Sequence, residues 1–329
     1  MAPLKVYHTA DCDRTLILNR QITVVGYGSQ GRAFALNLSD SGCNVQVALR
    51  DDSPSRQRVY ADKLPLRSFG SVGKSDIIVF AFPDHEQPEF YRSYLLDTGG
   101  QIKTIVFLHG LNVHFGNITF NSRHDVLLLA PHGPGADLRD RYLSGEGLSC
   151  FLAVGQDASG NAHATALALA AAIGADKAGI YETTFKDETL GDLFGEQTLL
   201  VGGLAGLTLS VFRTMVEHGL PPENAYLETV KQLKLLANMV EQHGPAGMVS
   251  RVSKTAAYGS LTAMPKLFDE RFRTRLEELF HAIESGEFNR QLRTEATEGF
   301  PALNGLMRTL KGSICQQTSE HFKPTGSEQ

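Results

Sequence analysis

Ile22-Thr-Val-Val25 runs straight into Gly26-Tyr27-Gly28-Ser29-Gln30-Gly31 and then Arg32-Ala-Phe-Ala35, and no other stretch limits the fold of this 329-residue chain so tightly. The apolar run ends in glycine, as a buried strand often does, and Ser29–Leu38 carries helical periodicity. A G-x-G-x-x-G between strand and helix is the phosphate-binding turn of a dinucleotide fold. Gly26 permits the tight turn, Gly28 lets the backbone approach a pyrophosphate, and Gly31 lets helix and strand pack closely. The helix N-terminus adds N–H groups and the positive end of its dipole. Tyr27, Ser29 and Gln30 lie between the glycines and join them as candidate cofactor-binding residues. A purely structural glycine turn is the competing reading.

The next apolar run, Val45–Leu49, ends at Arg50 and leads into Asp51-Asp52-Ser53-Pro54-Ser55-Arg56. A site for a ribose 2′-hydroxyl usually places an acid here, whereas a 2′-phosphate calls for arginine and hydroxyls. Arg50, Ser53, Ser55 and Arg56 favour the phosphate, hence NADPH. Asp51 and Asp52 oppose it if they point inward, so NADH stays open.

Further apolar runs follow at Ile77–Phe82, Thr104–His109, Val126–Ala130 and Cys150–Val154, the last strand expected, before an alanine-rich helix at Ala162–Ile173. Strands that alternate with helices imply βαβ units and a doubly wound, mainly parallel sheet. From Glu182 the strand-like runs stop. Long helical patterns take over at Asp187–Gly219, Glu223–Gly244, from Ala256, and at Glu270–Ser285. Pro221-Pro222 separates the first two, with Gly219 as the cap. The expected organisation is an α/β Rossmann domain over 1–183 and an all-helical domain over 184–329, with a frayed polar tail from Ser319.

Charge and cysteine content exclude several partners. With 31 basic against 36 acidic side chains the chain lacks the basic excess of a nucleic-acid binder. Its four cysteines are scattered singly and suggest neither a disulfide framework nor a zinc site. The polar start lacks a signal-peptide core, and the longest uncharged apolar run, Leu199–Phe212, is too short to cross a bilayer. A cytoplasmic protein with a small-molecule substrate and no membrane partner is expected.

In the helical half, Asp192 and Glu196 stand four apart and so share a helix face. They interrupt a stretch rich in Leu, Phe and Gly that should be buried. Buried carboxylates need a counter-charge, and Mg²⁺ is a suitable hard cation; a solvated face is the alternative. Glu228 and Gln232 repeat the spacing on the next helix.

Several further segments belong with these: Pro83-Asp84 with Gln87, His109-Gly110 with Asn112, and Ala130-Pro131 with Gly133-Pro134-Gly135. Others are Glu182-Thr-Thr-Phe-Lys, then Glu188, then Asp192-Leu-Phe-Gly-Glu196-Gln197; Gly202-Gly203; Ala225-Tyr226 with Glu228; and Ser253 with Thr255-Ala256. In one order along nearly the whole chain, they resemble the ketol-acid reductoisomerase family in its short form. That resemblance implies a Rossmann domain followed by a helical, knotted domain that dimerises and builds a shared site. It also implies a two-stage reaction. Two Mg²⁺ ions held by four carboxylates drive an alkyl shift in a 2-hydroxy-2-acyl acid, and NADPH then reduces the resulting 2-keto group. The family's roles fall on Asp192 and Glu196 as metal ligands, Glu228 as a third, Ser253 as a substrate-binding serine, and His109 near nicotinamide and metals. Pro83, Asp84 and Gly135 fall in the cofactor site.

The departures lie on site segments. The fourth carboxylate falls on Gln232, the family's lysine on His132, and the histidine after Gly-Pro-Gly on Ala136. The family's Ser-Asn-Thr-Ala-Glu-Tyr-Gly-Asp reads Ser253-Lys254-Thr255-Ala256-Ala257-Tyr258-Gly259-Ser260, two acids fewer and one lysine more. One Mg²⁺ on Asp192 and Glu196 is expected, with the second site weakened. The expected activity is therefore a divergent NAD(P)H-dependent reductase of a C=N or C=O group, with the isomerase half weakened or lost. His109, Asp192, Glu196 and Glu228 would be catalytic, with Ser253, Lys254, Gln232 and His132 around the substrate. A genuine ketol-acid reductoisomerase of branched-chain amino-acid synthesis is the first alternative, and an NADPH-binding pseudoenzyme the second.

Overall fold

The computed structural model describes residues 3–322. The chain divides into two units, one ending at Gly191 and one beginning at Asp192. The first holds a nine-stranded sheet: β1 (Val6–Tyr7), β2 (Gln21–Val25), β3 (Asn44–Ala48), β4 (Leu66–Arg67), β5 (Ile77–Phe80), β6 (Lys103–Phe107), β7 (His124–Pro131), β8 (Cys150–Gln156) and β9 (Ile180–Glu182). Their spatial order is β1-β9-β8-β7-β6-β5-β2-β3-β4.

Alternation inside the apolar runs explains the layering. Successive side chains of a strand point to opposite faces. Ile77 and Val79 enter one core, with Ile22, Val24 and the alanine-rich helix Ala162–Ala172. Ile78 and Phe80 enter the other, with Val25, Ile105, Phe107 and Phe90. Both faces are thus covered, which is why the strands read as continuous hydrophobic runs.

Two expectations are corrected. Cys150–Val154 is not in the last strand, because β9 follows, and the edge strands β1 and β4 were not foreseen. Strands of two or three residues are too short to show a period. The sheet also contains two antiparallel pairings, β7 with β8 and β1 with β9.

The second unit is helical. Its elements include Gly202–Glu217, Pro222–Glu228, Leu233–Val249, Lys254–Leu267, Glu270–Glu284, Glu287–Thr297, Pro301–Lys311 and Ile314–Glu320. Gly219, at φ +89, follows the first of these and donates its N–H to the Val216 carbonyl. The helix expected over Glu223–Gly244 is broken at Thr229, whose φ −122 and ψ −87 are not helical, and Gly244-Pro245 kinks the next one. A small core joins Phe212, Ala225, Tyr226 and Cys315. Phe322 stacks on Tyr226 at 4.8 Å between centroids, so the start of the expected tail is packed, while residues 323–329 lie outside the described residues.

The apolar helical stretch is also longer than the sequence run suggests. Leu199–Phe212 lies inside a helical stretch, Phe185–Glu217, that is long and apolar enough to cross a membrane by length and composition. Ending the count at charged residues hid the neighbouring helix.

Candidate active site

The cofactor candidates sit on loops that leave the carboxyl ends of strands. Residues 26–31 follow β2, 50–55 follow β3, 81–84 follow β5, 108–110 follow β6 and 132–135 follow β7. Strand order reverses between β2 and β5, with β3 and β4 to one side and β6 and β7 to the other. Open α/β sheets bind ligands in the crevice at such a switch point.

The glycines of the first loop each have a steric reason. Gly26 has φ +92, and a Cβ there would strike the Ala81 carbonyl oxygen. A Cβ at Gly31 would press on the Gly26 carbonyl, whereas at Gly28 nothing lies within 4 Å. Gly28 is also the N-cap of helix Ser29–Asp40 and supplies no capping side chain, so the first-turn N–H groups are open to an anion. On the facing loop, Gly135 stands so close to the Ser29 carbonyl that a Cβ would collide. Gln30 Nε2 donates to the Gly133 carbonyl at 2.7 Å. Its Oε1 is buried with no hydrogen-bond partner among the described residues. Open space beside Gly28, an uncapped helix end and a buried acceptor together fit a dinucleotide.

A three-residue clasp behind the loop was not read from the sequence. The Tyr27 hydroxyl donates to Asp62 Oδ2 at 2.8 Å, and Arg32 grips the same carboxylate through Nε and Nη2 at 2.7 and 2.8 Å. Arg32 holds the Asp62 carboxyl below the usual carboxylate range, and burial followed by the Asp62 contact pushes the Tyr27 hydroxyl up. Asp62 lies 35 residues beyond Tyr27 and belongs to no local motif.

The cofactor-selecting loop is occupied by its own acids. Asp51 and Asp52 are exposed, yet Asp51 accepts from Arg56 at 3.3 Å and Asp52 lies 4.0 Å from Arg50. Arg50 also lies 3.9 Å from Glu86. Ser53 Oγ accepts the Ser55 N–H at 3.4 Å, and Ser55 is the N-cap of the following helix, Arg56–Ala61. Both guanidiniums offered to a 2′-phosphate are thus shared with carboxylates.

His109 is held from two sides. Its Nδ1 lies 4.0 Å from Asp84 Oδ2, and Pro83 caps the short turn that carries Asp84. Asn112 donates to the Asp84 carbonyl and to Gln87 Oε1, both at 2.8 Å. The buried Glu188 accepts the Gly110 N–H at 2.8 Å. A Cβ at Gly110 would strike Glu188 and Thr189, so only glycine fits behind His109. His132, in contrast, is tied to Ser149 Oγ at 2.9 Å and set edge-on to Phe151.

In the helical unit, Asp192 and Glu196 are exposed, which corrects the expected burial. Leu193 beside them is buried, but Leu199, Leu200 and Val201, which follow, are exposed by 62–69%, so this apolar stretch is left largely uncovered by the described residues. Glu228 and Gln232 do not share a regular helix, but Gln232 Nε2 donates to Glu228 Oε2 at 3.1 Å. Ser253 Oγ accepts the Ala256 N–H at 3.1 Å as the N-cap of the helix that Lys254 begins. Among the described residues no three His, Cys, Asp or Glu side chains converge as a metal cage. Two carboxylates on one face nevertheless suit Mg²⁺, which usually keeps waters and takes one or two protein carboxylates. A neutral amide at Gln232 does not suit a second ion.

Known proteins resemble this chain over nearly its whole length. The family model for the acetohydroxy acid isomeroreductase NADPH-binding domain matches residues 16–179, and that for the ketol-acid reductoisomerase C-terminal domain matches residues 185–325. A ketol-acid reductoisomerase (NADP(+)) from Pyrobaculum arsenaticum is 42% identical over 308 residues, 93% of this chain and 94% of that protein. The structure of an NADH-preferring ketol-acid reductoisomerase from an uncultured archean superposes with a TM-score of 0.93 at 32% identity, covering 99% of this chain and all of that one. A semialdehyde dehydrogenase NAD-binding protein from Cupriavidus necator, at 17% identity and TM-score 0.61 over 81% of this chain and 99% of its own, shares the fold alone.

Proposed function

The chain belongs to the ketol-acid reductoisomerase family, and on that premise we propose that it rearranges and reduces a 2-acetohydroxy acid with a nicotinamide cofactor. The observation that carries this reading is the double-glycine cradle, loop 26–31 closed against Gly133–Gly135, in a chain 42% identical to a reductoisomerase over 93% of its length. The comparisons favour this alternative over the lone imine or ketone reductase expected from the departures, for which they offer no support.

Bound NADPH would supply the hydride, and bound Mg²⁺ would polarise the substrate oxygens as a Lewis acid. The first-turn N–H groups after Gly28 would hold the pyrophosphate, and the buried Gln30 Oε1 would accept from a hydroxyl of the cofactor. Arg50 and Arg56 compete between Asp51, Asp52 and Glu86 on one hand and a 2′-phosphate on the other, so both NADPH and NADH enter. His109 holds a proton at its ring for the oxygen that gains charge on reduction. Asp192 and Glu196 would hold one Mg²⁺. Ser253 retains its hydroxyl proton to donate to the substrate, since its oxygen acts as an acceptor in the cap.

A homodimer is part of the proposal. Leu204, Leu207, Leu235 and Leu261 of the helical unit are each about half exposed or more, and apolar surface on this scale marks an interaction face. A second copy in the cytoplasm covers it, rather than lipid.

One observation favours a weakened metal requirement. The Gln232 amide places an N–H donor on Glu228 Oε2, where a metal-binding carboxylate pair would present only acceptors. The test is cofactor oxidation with 2-acetolactate, with and without Mg²⁺. Turnover that rises with Mg²⁺ supports the reductoisomerase. Cofactor binding without turnover on any keto acid or cyclic imine would leave a pseudoenzyme.

A further inference from the structure

Helix Phe185–Gly195 does not pass directly into helix Gly202–Glu217. Residues Glu196–Leu200 form a π turn, closed by the Val201 N–H donating to the Glu196 carbonyl five residues back at 3.0 Å. We infer that this turn is a register device: it puts Asp192 and Glu196 on the same side of the helix as the exposed apolar stripe that follows, and Gly202 and Gly203 are the positioning residues that permit it. The inference rests on reading those two carboxylates as metal-binding, as proposed above.

The glycine pair is required by geometry. A Cβ at Gly202 would collide with the Gln197 carbonyl oxygen, and one at Gly203 with that of Thr198, each five residues back. These are the carbonyls that a wide turn brings over the next coil of backbone. One turn later, a Cβ at Gly206 would meet nothing within 4 Å. The same helix therefore contains two glycines the π turn needs and one it does not.

The consequence is rotational. An α-helix advances about 100° per residue, and a π turn absorbs about one residue more than an α turn, so all that follows is turned back by about 100°. Leu204, Leu207 and Val211, which follow the turn, are exposed by 38–54%. In an unbroken α-helix they would centre about 70° from the midline of Asp192 and Glu196; with the extra residue absorbed they centre within about 30° of it. Covering the apolar stripe with a second copy then also covers the carboxylates. Without the π turn, the carboxylates would lie round the flank of the helix. π turns are rare and are frequent at functional sites.

Gly203→Ala, Gly206→Ala, and Gly203→Ala combined with deletion of Thr198 test this in the full chain. The deletion removes the residue that the π turn absorbs, so an ordinary helix keeps the downstream register. Mg²⁺ binding is read by calorimetry, self-association by sedimentation, and folding by far-ultraviolet circular dichroism, which reports the helical unit. Gly203→Ala should weaken Mg²⁺ binding by about tenfold or more, as loss of a ligand-orienting group does, and should weaken self-association. Gly206→Ala should change neither, and the deletion should restore both. Folded Gly203→Ala protein with wild-type Mg²⁺ binding and association would overturn the inference, as would a folded deletion variant without rescue. If Gly203→Ala fails to fold, deletion of Thr198 alone decides: retained Mg²⁺ binding and association support register, and their loss contradicts it. If the wild-type chain binds no Mg²⁺, the carboxylate reading fails, and the register claim is judged by self-association alone.

Discussion

The sheet unit and the helical unit use the same kinds of side chain to opposite effect. In the first, Ile22, Val24, Ile77, Ile78, Phe80 and Phe107 are all but fully buried, on both faces of one sheet. In the second, Leu199, Leu204, Leu235, Leu261 and Leu267 are exposed by 47–69%, and the cluster around Phe212 and Tyr226 is small. A strand is covered on both faces by helices of its own domain, whereas a single helix needs a neighbour for every apolar stripe. The first unit completes its own core and cofactor loops. The second leaves much of its apolar surface exposed, the surface that the proposed second copy would cover.

Matched truncations would break that contrast most directly. Phe80→Ala removes a ring from a closed core and should cost about 3–5 kcal/mol. Leu204→Ala should cost under about 0.5 kcal/mol in the monomer, yet weaken self-association. Denaturant unfolding at low concentration and sedimentation separate the two. A large monomer cost at Leu204 would show that its own chain covers it.

The next effect sharpens the difference between finished and unfinished sites. Gly135→Ala should lower NADPH affinity by about tenfold or more, about 1.4 kcal/mol, because its Cβ meets the Ser29 carbonyl. Fluorescence titration would show this, with Mg²⁺ binding unchanged. In the helical unit, Gln232→Glu should move Mg²⁺ affinity the other way, upward, as read by calorimetry. An unchanged value would show that the residue is not at a metal site.

The smallest effect concerns the clasp behind the first loop. Asp62→Asn removes charge-assisted bonds to a half-exposed arginine and should cost about 1 kcal/mol. Arg32 lowers the Asp62 carboxyl in the folded state, so its contribution is full above the unfolded value of about 3.9 and is lost as pH falls through the folded one. The difference in Tm between wild type and Asp62→Asn should stay level from neutral pH down to about 5 and shrink below about 4. A difference that grows on acidification would contradict the clasp.

These contrasts also explain what could be read from the sequence. The long strands and the Gly26–Gly31 loop were legible because their pattern is local: an apolar run, a glycine spacing, a helix. Residues such as Asp62 and Glu188 act on backbone or side chains far away in sequence, Tyr27 and Gly110, and leave no local trace. The breaks at Thr229 and the π turn at Glu196 were invisible because hydrophobic periodicity alone cannot show a one-residue change of phase. The exposure of Asp192 and Glu196 was misjudged because leucine-rich surroundings predict burial without saying which chain provides it.

On the proposed function, one active site both rearranges and reduces. The most direct measurement is proton NMR of the product from 2-acetolactate, NADPH and Mg²⁺. The expected product is a dihydroxy acid with both methyl groups on one carbon, the mark of methyl migration before reduction. A product with its methyl groups still on adjacent carbons would contradict it, because reduction would then have occurred without rearrangement.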